Sequence, residues 1–177
     1  MTKVKTRSVP AVSIPVSDPA GVVSRGDGDV NVLLARLLRH RRSVDRLDYL
    51  RTVRALSATM RQVDLAKELG VSQAAISTTL SRASEVPDVV PGFSGGSPYE
   101  IAERYAAGGI DRDVLIDELG RFPYAETPKT DGVDWLVDDV PNTVGDVSRA
   151  WRDGLIDEDT YVAIHHEIAR FRQTPVS

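Results

Sequence analysis

The chain has 177 residues, 41 % of them apolar and 27 % charged, enough for one ordinary domain or two small ones with a genuine core. It has no cysteine, which excludes disulfides, thiolate metal sites and a cysteine nucleophile, and only three histidines, which leaves little material for metal or acid–base chemistry. The net charge of −4 is uneven: residues 1–90 carry 14 Lys and Arg against 9 Asp and Glu, residues 91–177 carry 8 against 17, and so two units with separate jobs are predicted.

Residues 1–28 read as a flexible basic arm, because Pro10, Pro15 and Pro19 remove donors and favour extended backbone. The start lacks the apolar block of a signal peptide, and no apolar run nears the ~20 residues of a bilayer span. A cytoplasmic location without membrane contact is therefore expected. Asp29 is placed as the N-cap of a helix through Arg39, with Leu33, Leu34, Leu37 and Leu38 at the spacing of one buried face. A second helix is expected from about Val44 to Ser57, where Leu47, Leu50, Val53, Arg54 and Leu56 lie beside a basic stripe of Arg42, Arg46 and Arg51. Thr59 and Gln62 have capping-box spacing, Gly70 is placed to end the helix they open, Ser72 to cap the next, and Pro87 to limit it.

Residues 87–97, rich in Pro, Gly and Ser, read as a linker. Ser97, Pro98 and Glu100 then restart helix as N-cap, first and third positions. Farther on the chain echoes itself. Ile101, Tyr105, Gly108, Ile110, Asp111 and Asp113 recur 46 residues later as Val147, Trp151, Gly154, Ile156, Asp157 and Asp159. Each copy predicts a helix stopped by Gly, an Ile packed across the junction and an Asp capping the next helix. Two αα-hairpins result, whether by duplication or because Gly-stopped helix pairs share this form. Residues 121–142 between them are expected to be mostly loop. No segment reads as a strand, so the predicted fold class is all-α.

The most informative stretch is Gln62–Ser81. Ala66 supplies the small residue that two steeply crossing helices need, Gly70 the positive φ of the turn, and Leu65, Leu69, Val71 and Ile76 a shared core. Ser72, Gln73, Ala74, Ser77, Thr78 and Ser81 are left facing outward. These short or amide side chains suit base edges in a major groove: Gln bonds adenine in bidentate fashion, and Ala or Thr methyls meet the thymine methyl. Arg61, Lys67 and Arg82 flank this face as phosphate partners. Residues 30–82 carry 10 basic residues against 4 acidic, the sign such a partner requires.

This stretch resembles the helix-turn-helix of lambda-repressor-like DNA-binding domains. The resemblance implies that Gln62 contacts phosphate and supports Gln73, the start of the recognition helix. Thr79 departs from the family pattern, which has an aliphatic residue there, and Leu80 is placed to take over its packing.

Weaker patterns are set aside. Gly92-Phe-Ser-Gly-Gly96 fits a nucleophile elbow around Ser94, but that motif needs a strand before it and a sheet around it. His165-His166-Glu167 reads as helix surface, since adjacent helical residues point in different directions. Asp138-Asp139 and Asp157-Glu158-Asp159 read as solvated loop or helix-start acids. No enzymatic activity, metal or cofactor is expected.

The whole layout resembles the immunity repressors of temperate mycobacteriophages: a proline-containing basic arm, an arginine-rich helical unit with Gln62–Ser81, and an acidic helical unit. In that last unit Ser97–Tyr105, Arg121-Phe-Pro-Tyr124 and Thr130-Asp-Gly132 carry the likeness. The resemblance implies a helix-turn-helix domain over 29–86, a linker over 87–97 and a C-terminal helical domain over 98–177. It implies repression of lytic promoters in a bacterial host, maintaining lysogeny and immunity. It further implies monomeric binding to asymmetric double-stranded sites, and to dispersed stoperator sites that impede host RNA polymerase. The C-terminal domain would be a second DNA-contacting module, with Arg121, Tyr124, Lys129 and Thr130 as candidates. The alternative, which the acidity of that half favours, is a regulator or antitoxin-like protein whose C-terminal domain binds a protein partner or dimerises.

Overall fold

The computed structural model describes residues 25–126 and 141–173. Among these the chain is all-helical, with α1 (Arg25–Ser57), α2 (Gln62–Glu68), α3 (Gln73–Ala83), α4 (Pro98–Ala106), α5 (Arg112–Arg121), α6 (Gly145–Arg152) and α7 (Glu158–Gln173), and no strand. Most of the basic arm lies outside the described residues, as do Lys129, Thr130 and the Asp138-Asp139 pair.

The two helices expected over 29–57 are one. α1 runs 33 residues, about 50 Å at 1.5 Å per residue. No Gly or Pro falls between Asp29 and Ser57, and the polar run His40–Ser43 is helix-compatible, so nothing breaks the ladder. Asp29 consequently lies inside the helix and caps nothing. The leucine face is also corrected: Leu33, Leu34, Leu37 and Leu38 are 62, 51, 38 and 54 % exposed. The spacing of one face is present, but among the described residues no element packs against it.

The C-terminal part of α1 joins α2 and α3 through a small core of Val53, Leu65, Ala66 and Ile76, with Met60 and Leu80 packed on it. Leu69 and Val71, expected in this core, are 40 and 42 % exposed. They flank the Gly70 turn and point past the point where the helices meet.

α4 to α7 form the second packed unit, two hairpins whose equivalent helices meet, α4 against α6 and α5 against α7. Its core holds Ile101, Leu115, Leu119, Phe122, Val147 and Ile164 among others. The sequence echo is an echo of geometry. Gly108 and Gly154 both take φ of 73°, beyond the reach of most L side chains, and stop α4 and α6. The N–H groups of Gly109 and Leu155 donate back to the Arg104 and Ala150 carbonyls, 2.8 and 2.9 Å. Asp111 and Asp157 then accept from the N–H of Val114 and Thr160 to cap α5 and α7.

The two units are fastened to one another along α1. Arg51 donates both ends of its guanidinium to the Glu100 carboxylate at 2.6 and 2.7 Å, and Arg104 bridges Glu100 to Asp48. Ser43 and His40 meet Glu103 one turn farther along. Residues 87–97 are not a loose connector. Val90 donates to Gly95, Phe93 stacks edge-on against Phe122 at 5.2 Å, and Ser94 donates through N–H and hydroxyl to Glu118. A side chain at Gly96 would start 2.6 Å from the Asp88 carbonyl, so only glycine fits that approach.

Candidate nucleic-acid interface

The candidate face is built on α3, and its framework is set locally. Gly70 takes φ of 66° between α2 and α3, with the Val71 N–H closing the turn onto the Ala66 carbonyl at 3.0 Å. Ser72 caps α3, its hydroxyl accepting from the Ala75 N–H at 3.1 Å. Ile76 and Ala83 are fully buried on the inner side of α3, which fixes the helix's rotation about its own axis. Gln73, Ala74, Ser77, Thr78 and Ser81 then stand exposed together at i, i+3, i+4 spacing. Thr79 and Leu80 lie half-buried, Leu80 on the small core, where the departure at Thr79 left a place for it.

The chemistry this face offers can be read atom by atom. The Thr78 hydroxyl donates to the Ala74 carbonyl at 3.0 Å, so toward solvent Thr78 presents its methyl and an acceptor. The Gln73 amide makes no hydrogen bond among the described residues, with Gln62 or any other, so there its donor and acceptor are both open. Arg61 is 86 % exposed in a pair with Asp64, an exposed contact worth about 0.2–1 kcal/mol and readily exchanged for a phosphate. Lys67, Arg82 and Gln62 are exposed around the rim. The capping box expected at Thr59 is absent. α2 begins after Arg61 with no side-chain cap, and the Thr59 hydroxyl donates instead to the Leu56 carbonyl at the end of α1.

One positioning residue stands within the apolar stripe of α1. Arg54 donates to the carbonyls of Ala83 and Val86, 2.6 and 2.7 Å, and pairs with Asp88. It holds the C-terminal end of α3, where unpaired carbonyls draw a cation. An arginine in register with Leu50 and Val53 was the signal for it.

The candidates in the acidic unit are placed differently. Arg121 is tied to Asp117, to the Gly92 carbonyl and over the Phe93 ring at 4.3 Å. Tyr124 is corrected from a free loop aromatic to a packing residue. Its ring lies on Phe122 and its hydroxyl donates to the Leu119 carbonyl at 2.6 Å, with burial pushing its ionisation well above the usual range. The two are not brought together with the α3 face. His165 lies against the Tyr161 ring, and no group of three or more metal-binding side chains forms among the described residues. No helix there is long and apolar enough to cross a membrane.

Comparison with protein-family models, with curated proteins and with solved structures yields no match for this chain.

Proposed function

We propose that this protein is a sequence-specific DNA-binding transcriptional repressor of the temperate-phage immunity type, with α2 and α3 acting as a helix-turn-helix and α3 entering the major groove. One observation carries the reading. The exposed face of α3 carries Ala, Ser and Thr between two long side chains, a Gln at the helix start and Arg82 at its end, above a buried Ile and a positive-φ turn. A face so free of bulk admits close approach to base edges. One protomer would engage one asymmetric site in the cytoplasm of a bacterial host, blocking lytic promoters and, at dispersed sites, impeding RNA polymerase. For the acidic unit, the internal engagement of Arg121 and Tyr124 favours a protein-binding role over DNA contact through those two residues.

The test is selection from a pool of randomised duplexes with the full chain, followed by titration of the enriched duplex. Gln73→Ala should cost about 1–3 kcal/mol on that duplex at fixed salt and relax preference at one base position. Unchanged affinity and unchanged preference would remove α3 from the groove.

A further inference from the structure

We infer that the exposed arginines of α1 on the side of α3, Arg39, Arg42 and Arg46, form a phosphate-tracking ridge. It extends the DNA contact beyond the groove that α3 occupies. The inference rests on the proposed role of α3 and names a second surface for the same partner.

The ridge follows from helical phase. Val53 is the α1 residue buried in the core shared with α2 and α3, so its direction marks the side on which they lie. Arg46 and Arg39 precede it by seven and fourteen residues and Arg42 by eleven. At 3.6 residues per turn all three point within about 40° of Val53. They continue the line along which α3 is attached, between about 10 and 21 Å farther up the rod. The side of α1 that carries the acidic unit is marked by His40, Val44 and Arg51, roughly 160° round the axis. The rod therefore separates a cationic flank from the unit holding most of the chain's negative charge.

Availability separates these arginines from their neighbours. Arg51 and Arg54 are held in ion pairs that close the fold. Arg39, Arg42 and Arg46 are exposed and make no hydrogen bond, ion pair or ring contact among the described residues. Three unpaired guanidiniums in one row, on a helix with no acid between them on that line, are suited to a row of like-spaced anions. The level is right as well. A helix packs 8–10 Å from the one beneath it, and the major groove is about 8.5 Å deep. When α3 sits in the groove, the phosphate rim comes down to about the height of α1, within reach of an extended arginine.

The experiment compares the full chain with a triple Arg39→Gln, Arg42→Gln, Arg46→Gln variant and with the corresponding triple Lys variant. Binding is titrated against salt on two duplexes, one of random sequence and one enriched by selection. Each phosphate that the protein no longer neutralises lowers the slope of log K against log salt by about 0.9, so the Gln variant should lose about 2–3 in slope on both duplexes. It should also lose backbone protection on one flank of the footprint while keeping the base preference. The Lys variant should retain the slope. An unchanged slope and footprint in the Gln variant overturns the ridge, and so does a Lys variant as impaired as the Gln one. Random-sequence binding needs no base readout, so failure of Gln73→Ala to alter preference would strike α3 alone and leave this measurement intact.

Discussion

Two hydroxyls with the same apparent task, Ser72 and Thr59, have different fates, and the difference is measurable. Ser72 accepts from the Ala75 N–H, so Ser72→Ala leaves an orphan donor at the start of α3 and should cost about 0.5–2 kcal/mol in urea denaturation. Thr59 donates to a carbonyl at the end of α1 and caps nothing, so Thr59→Ala should fall within about 0.5 kcal/mol of the parent. Equal costs would show that the cap on α3 is not a feature of the folded chain. Both are hydroxyl residues set just before an expected helix start, Thr59 with Gln62 three residues on, so the local pattern favoured Thr59 at least as much as Ser72. Spacing did identify Gly70, Ser72, Ser97, Asp111 and Asp157, because a positive φ or an orphan N–H is a demand made within a few residues. Glu100 was legible only as a third-position acid. Its acceptance of Arg51 comes from a helix 49 residues earlier in the chain, which no local pattern reports.

Between elements, the closest approach to a glycine among the described residues is α7 on α5, at a glycine inside a helix. A Cβ at Gly120 would lie 2.2 Å from Glu167 Cγ and 2.9 Å from its Cβ. Replacing Gly by Ala within a helix gains about 1 kcal/mol from backbone propensity, whereas forcing extra volume into a packed contact costs about 1–3. Because Glu167 Cβ is fixed to the α7 backbone, the helices must part and the second effect wins. Gly120→Ala should therefore lower stability by up to about 2 kcal/mol in urea denaturation, and a gain would show that α5 and α7 are not in contact there. At this scale the sequence was informative about which residues share a face and silent about what covers the face. The leucines of α1 have the periodicity of a buried stripe and remain exposed. Leu69 and Val71 have the hydrophobicity of core residues and lie outside the core. Periodicity is a property of the chain, and burial requires a partner that the chain's topology has to bring.

Taken whole, the molecule hangs both units on α1, and the clamp between them is electrostatic, so its stability should respond to acid in a defined way. Burial pushes the Glu100 carboxyl up, but bonds from Arg51, the Gly96 N–H and Arg104 together pull it below its ordinary value of 4.5. A carboxylate depressed in the folded state contributes its full stabilisation above the unfolded value and loses it as pH falls through the folded one. The contribution should therefore be intact at neutral pH and decline below about 4.5. His165 acts in a higher window. Burial, then the charge of Arg172, hold its ring below the usual 6.5, so the unfolded chain takes up its proton first and some stability goes between 6.5 and the folded value. Glu100→Gln separates the two. It leaves Arg51 and Arg104 short of their shared anion and should cost about 3–5 kcal/mol at neutral pH, toward the lower end because Asp48 still holds Arg104. It should flatten the limb below 4.5 and leave the limb that opens below 6.5 unchanged, since His165 lies in the other half of the acidic unit. The measurement is the urea midpoint against pH, followed by helicity and by tryptophan fluorescence, whose reporters Trp135 and Trp151 both lie in the C-terminal half. If the carboxylate clamp couples the units, both signals shift together in the variant. A shift in fluorescence alone would mean that α1 holds the two units independently and that the contacts of Ser43 and Val44 suffice without Glu100.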